Sequence, residues 1–185
     1  MGKNKNIKNK ISIPFGKPLI DKKEIDLVKK TINSNILVHG SKSVEFEKKF
    51  KNFTQSKYAI SVSNCTAGMN LIYFCLGIGR GDEVIVPAQT HIATAHAAEY
   101  TGAKAVFADC DIETGNISLE QIKKKFSNRT KAICIVHFLG IPVDIKPIKN
   151  FAKKNKLFLI EDCALALGSN YYGKHVGTIG DAGVF

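Results

Sequence analysis

The stretch Leu157-Phe158-Leu159-Ile160-Glu161-Asp162 decides the fold class. Four consecutive apolar residues that end on two acids read as a strand covered on both faces, because a strand with one wet face alternates apolar and polar positions. Similar apolar runs lie at residues 58–62, 83–86, 105–108 and 132–136. Between the runs stand stretches with helical spacing, at 66–76, 92–100, 118–126 and 145–154. This alternation predicts an α/β fold, a three-layer sandwich with a mostly parallel sheet and helices on both faces. Upstream, residues 21–33 and about 43–53 predict two further helices, the second with Phe46, Phe50 and Phe53 along one stripe. Residues 1–10, MGKNKNIKNK, read as a basic, disordered tail, and the folded part is expected from residue 11 to Phe185.

Composition removes several classes of function. The chain has 185 residues, 44% apolar and 23% charged, inside the range of ordinary globular domains. No apolar run approaches the roughly 18 residues of a membrane span, and no apolar stretch follows the basic start as in a secretory signal. Cys65, Cys75, Cys110, Cys134 and Cys163 are odd in number and contain no C-x-x-C pair, so free thiols in a reducing cytoplasm are expected. The net charge is +11, yet of the 27 basic residues only Arg80 and Arg129 are arginine. The lysines are spread along helix surfaces, a pattern unlike the arginine forks that read nucleic acid. Neither a nucleic-acid partner nor a membrane is expected.

In open parallel sheets ligands bind at the carboxyl ends of the strands. Ser63-Asn64-Cys65-Thr66-Ala67-Gly68 follows one strand and opens a helix. Its capping residues leave the first helical amides for an anion or serve as an ordinary N-cap. Glu161 and Asp162 could hold a cation, a ribose hydroxyl or a protonated ring nitrogen, or cap the next turn. His91 stands at the head of a helix, where a lone histidine caps or binds. His91 and His96 fall on different helix faces, and no histidine lies at ligand spacing from Glu161 and Asp162, so no metal site is expected. Gly77-Ile78-Gly79-Arg80-Gly81 ends a helix rather than starting one. The near P-loop Gly168–His175 has His175 where magnesium binding needs Ser or Thr.

Together these stretches resemble the DegT/DnrJ/StrS family of pyridoxal-phosphate-dependent sugar aminotransferases. The resemblance rests on Ser63-Asn64-Cys65-Thr66-Ala67, Gly81-Asp82-Glu83-Val84-Ile85-Val86-Pro87, Gly102-Ala103 leading to Phe107-Ala108-Asp109, Val136-His137, Glu161-Asp162-Cys163-Ala164 and Gly177-Thr178-Ile179-Gly180-Asp181. It implies the N-terminal part of a type I transferase large domain, with pyridoxal 5'-phosphate as cofactor. It further implies that the amides of Cys65 and Thr66 and the Thr66 hydroxyl hold the phosphate. His91 would lie over the ring, Asp162 would pair with the ring nitrogen, and Leu165 would stand near the phenolic oxygen. The implied substrates are a nucleotide-linked keto-sugar and an amino donor such as glutamate, handled by a homodimer.

The chain departs from the family pattern at three points. Cys65 replaces a common glycine, and Leu165 replaces a common Gln or His and cannot hydrogen-bond the cofactor. The family's Schiff-base lysine is expected beyond Phe185, so no catalytic residue is assigned within this chain, and Lys174 is not its equivalent. The chain is accordingly expected to be an N-terminal fragment, inactive alone. The family's keto-sugar 3-dehydratases and a non-catalytic binding member are the alternative expectations.

Overall fold

The computed structural model describes residues 13–14, 16–38 and 40–185. The expected tail at 1–10 lies outside the described residues. Two compact units divide the chain, one running through Val44 and the other from Glu45 to Phe185. The first contains α1 (Lys22–Ile32), opened by a capping box in which the Asp21 carboxylate accepts from the backbone and Glu24 accepts from the Asp21 amide. Helix α2 (Ser41–Thr54) crosses the division.

The second unit is the sheet-bearing one. It continues with α3 (Cys65–Cys75), β1 (Glu83–Pro87), α4 (Ala93–Glu99), β2 (Lys104–Ala108), α5 (Leu119–Lys125) and β3 (Thr130–Val136). Then follow α6 (Ile145–Lys154), β4 (Phe158–Asp162), a short hairpin of β5 (Asn170–Tyr171) and β6 (Lys174–His175), and β7 (Ala182–Val184). Five strands form one parallel sheet in the order β2-β1-β3-β4-β7. The order reverses direction between β1 and β3, which makes that crevice the topological switch point. The near P-loop at Gly168–His175 is the β5–β6 hairpin, with Tyr172-Gly173 at its turn.

Strand periodicity sorts the core into two layers. Val84, Val86, Ala132, Cys134 and Ile160 face one side with Met69 and Tyr73 of α3 and Ala95, Ala97 and Ala98 of α4. Ile85, Ile133, Ile135 and Leu159 face the other side with Ile122 of α5 and Ile145 and Ile148 of α6. Helix α3 sits low on the sheet because residue 68 is glycine. A Cβ there would fall 2.6 Å from Val184 Cγ1 and 3.2 Å from Val62 Cγ2.

One expected strand is absent. Residues 58–62 have a strand's composition but form no ladder. A strand needs a neighbour to take its amides, and here the Ser61 amide donates to Glu47 Oε1 at 2.8 Å instead. The free edge of β7 and residues 58–62 border an open groove of about 1210 Å³, also lined by Phe46, Phe50 and Phe53 of α2 and by Phe185. The phenylalanine stripe read from α2 faces that groove. Sequence reading also missed β5, β6 and β7, which are only two or three residues long.

Candidate functional site

Asp162 ends β4 on the α3–α4 side of the sheet, two residues past the strand's apolar run. Its side chain is 5% exposed and every partner it has is a donor. Oδ1 accepts from the Ala164 amide at 3.1 Å and from the Cys65 thiol at 3.7 Å. Oδ2 accepts from the Thr94 hydroxyl at 2.8 Å. Thr94 in turn lies 2.8 Å from the Thr90 hydroxyl, and because Thr94 spends its single proton on the carboxylate, Thr90 is the donor to it. Donors thus surround the buried carboxylate, two on Oδ1 and one on Oδ2, which leaves acceptor capacity on Oδ2.

Below Asp162 lies Tyr73. The Tyr73 hydroxyl is fully buried and finds no hydrogen-bond partner. Burial pushes its phenol well above the ordinary value, with the neighbouring Cys134 and the Asp162 charge adding to the rise. Burial first, and then the Asp162 charge, push the Cys65 thiol up to about 12. The Cys134 and Cys163 thiols are raised by burial as well, so all three sulfurs around Asp162 stay neutral. No cysteine is disulfide-bonded.

Beside the carboxylate, helix α3 begins at Cys65. Its N-cap Asn64 accepts from the Ala67 amide at 2.9 Å. That leaves the Cys65 and Thr66 amides, with the Thr66 hydroxyl, without an acceptor among the described residues. Orphan amides and a positive helix end are a site for an anionic group. The donor set thus fits a ligand with a phosphate at one end and an N–H at the other, separated by the width of the crevice.

Glu161, one residue earlier, points to the opposite face and belongs to a closed network. Oε1 accepts from the amides of Ile179 at 2.7 Å and Gly180 at 2.5 Å. Oε2 accepts from the Gly177 amide at 2.8 Å and from His137 Nε2 at 3.0 Å. His137 Nδ1 accepts from the Val143 amide at 3.0 Å, which places the ring proton on Nε2. Burial pushes the Glu161 carboxyl up, but the hydrogen bonds from His137, Gly180 and Gly177 outweigh it and hold the group below its usual range. His137, Glu161 and Cys163 bring their ligand atoms within 4.8 Å of one another. Each Glu161 oxygen already accepts from two donors there, and the network ties His137 to the loop at 177–180.

The structure therefore separates the two acids that sequence left equivalent. It brings the Cys65 thiol to Asp162 at 3.7 Å, with Thr66 next to Cys65 in the first turn of α3. His91 lies in the segment between β1 and α4, exposed, with Nδ1 accepting from the Ala93 amide at 3.2 Å. The capping role is thus realised, and its ring remains open to a ligand. Leu165 is 64% exposed in the turn after β4. Sequence reasoning missed Thr90 and Thr94. A signal was present: Thr94 interrupts an alanine-rich helix three residues after His91.

An open parallel sheet with a buried acid at the carboxyl end of β4, beside the N-terminus of α3, is an α/β arrangement that sets an anion-accepting helix end next to a carboxylate. Residues 18–185 match the DegT/DnrJ/EryC1/StrS aminotransferase family, and the chain belongs to that family. It is 45% identical over 174 residues to GDP-perosamine synthase of Escherichia coli O157:H7, covering 94% of this chain and 48% of that protein. The aminotransferase from Psychrobacter cryohalolentis superposes with a TM-score of 0.88 at 40% identity, covering 92% of this chain and 44% of that one. Spr1654 from Streptococcus pneumoniae in its PLP form superposes with a TM-score of 0.86 at 31% identity, over 91% and 47% of the respective chains. The chain thus spans about half the length of the relatives it matches.

Proposed function

We propose that the chain is the N-terminal part of the large domain of a pyridoxal-phosphate-dependent aminotransferase acting on a nucleotide-linked keto-sugar. One observation carries this reading: the all-donor clamp on Asp162 stands beside the unpartnered amides of Cys65 and Thr66. The phosphate would bind the Cys65 and Thr66 amides and the Thr66 hydroxyl, and the ring nitrogen would pair with Asp162 Oδ2. The exposed imidazole of His91 would cover one ring face. Leu165 offers only apolar contact near the phenolic oxygen. When bound, pyridoxal phosphate supplies an electron sink, and a carboxylate at its ring nitrogen keeps that sink protonated. Asp162, buried and held by Thr94, Cys65 and Ala164, would perform that service.

The substrate side of the proposal rests on the relatives. A sugar-nucleotide acceptor and an amino donor such as glutamate match a family whose members include a GDP-perosamine synthase. A homodimeric, cytoplasmic enzyme is part of the same reading. Among the described residues no helix is long and apolar enough to cross a membrane.

Calorimetric titration with pyridoxamine 5'-phosphate, which needs no lysine to bind, tests the site. Asp162→Asn and Thr66→Val should each weaken binding by about tenfold, the scale of a lost charge-assisted hydrogen bond. Binding of inorganic phosphate as tight as that of pyridoxamine phosphate would sink the assignment. The codons after Phe185 test the reaction: a lysine in the frame keeps the aminotransferase, whereas a histidine moves the proposal to a dehydratase.

A further inference from the structure

We infer that Thr94, aligned by Thr90, is the positioning residue that aims Asp162 at a ring nitrogen. The inference deepens the proposed function and rests on the assignment of Asp162 as the ring-nitrogen partner. A carboxylate at a strand end rotates freely about its terminal torsion, whose preferences are broad, so its direction must come from neighbours. Three parts of the chain supply it: α4 through Thr94, α3 through Cys65 and the turn after β4 through Ala164. The division of donors between the two oxygens is unequal. Oδ1 takes two and Oδ2 takes one, so Oδ2 is the atom with room for an incoming N–H, and Thr94 is what holds it.

Thr90 gives the arrangement its sense. A threonine hydroxyl can donate or accept, and an accepting Thr94 would leave Oδ2 unpinned. With the Thr90 hydroxyl 2.8 Å behind it, Thr94 has its acceptor role filled and turns its proton toward Asp162. The residue type also goes against local preference. In Ala93–Glu99 the neighbours are mostly alanine, the best helix former, whereas threonine is β-branched and poorer. Thr94 is fully buried, and valine would fill the same space without a hydroxyl needing a partner. The hydroxyl is therefore the feature that the position supplies.

The test compares pyridoxamine 5'-phosphate with its deaza analogue, in which a C–H replaces the ring nitrogen, by calorimetric titration of this chain. The wild type should prefer the nitrogen-bearing ligand, and Thr94→Val should reduce that preference about tenfold while changing affinity for the analogue less than about twofold. Thr94→Ser, which restores the hydroxyl, should recover the preference, and Thr90→Val should fall between. A Thr94→Val chain that weakens both ligands equally, or that keeps the wild-type preference, overturns the inference and leaves the Asp162 assignment standing. No preference in the wild type, or a preference that survives Asp162→Asn, overturns that assignment and this inference with it.

Discussion

Glu161 and Asp162 are neighbours in sequence and opposites in the fold. Successive side chains on a strand point to opposite faces. Glu161 therefore lies with Ile179 and His137 on the α5–α6 side, and Asp162 with Cys65, Tyr73 and Thr94 on the α3–α4 side. Both are buried and both carry only donors. They differ in what is left over. Glu161 has four donors on two oxygens, three of them backbone amides of the loop 177–180, and has no acceptor capacity to offer. Asp162 has three, and its second oxygen carries only one of them. A buried acid is a functional candidate when its hydrogen-bond count is unfinished, and burial alone does not distinguish the two.

The largest expected effect is on the closed side. Glu161→Ala strands His137 Nε2 and three loop amides at once, and removing one member of a buried charged network costs about 3–5 kcal/mol. Denaturant melts of the two chains measure it. A loss below about 1 kcal/mol would mean that water fills the network and that the two faces are alike. The same network has a pH signature. The Glu161 carboxyl is held below its usual range, so its contribution is complete above the ordinary glutamate value of about 4.3 and is lost as pH falls through the lowered one. The stability gap between wild type and Glu161→Gln should therefore narrow on acidification and stay constant between about pH 6 and 7.

How much of this was legible follows from the range of each signal. Strands β1 to β4 and helices α1 to α6 were readable because each carries its own periodicity. Residues 58–62 carry the same signal and are no strand, because a ladder is a property of two segments and the Ser61 amide found Glu47 instead. Strand β7 was invisible because Ala182-Gly183-Val184 is short and owes its pairing to β4. Cys65, Thr66, His91 and Asp162 were singled out as residues following expected strands, although residues 58–62 before Cys65 form none and Asp162 lies within β4. The roles of Glu161 and His137 were not, since they stand 24 residues apart and meet only through the β3–β4 register that pairs Ile135 with Glu161 and Val136 with Asp162. Thr94 interrupts the alanine-rich α4, but its partner Asp162 stands 68 residues away, so the pairing was not legible.

On the open side the effects should be smaller in stability and larger in reactivity. Asp162→Asn keeps shape and two acceptor lone pairs, so its cost should be about 1 kcal/mol. Its consequence appears at Cys65. Burial is the first cause of that thiol's rise and the Asp162 charge the second, so removing the charge lowers it only in part. Alkylation at pH 9, located by peptide mass mapping, should modify the exposed Cys75 first in both chains. Cys65 should react several-fold faster in Asp162→Asn than in wild type, yet remain slower than Cys75, a scale of under one pKa unit. Equal Cys65 rates in the two chains would show that the thiol does not feel the carboxylate, and would detach α3 from the clamp.

The smallest expected effect lies beneath the clamp, at Tyr73. An unsatisfied buried hydroxyl costs the desolvation it suffered on folding and returns nothing, whereas removal of a satisfied one forfeits a hydrogen bond. Tyr73→Phe keeps the ring and its packing against Met69 and Val84 and deletes only the orphaned oxygen. The expected change is therefore neutral to stabilising, within about 1 kcal/mol, where a bonded tyrosine would lose about that much. A destabilisation of about 1 kcal/mol or more would mean that the hydroxyl has a partner on the Asp162 side, a buried water or the Cys134 thiol. Part of the support for Asp162 would then come from below instead of from Thr94. The sign of one conservative substitution thus decides whether the clamp is complete as described.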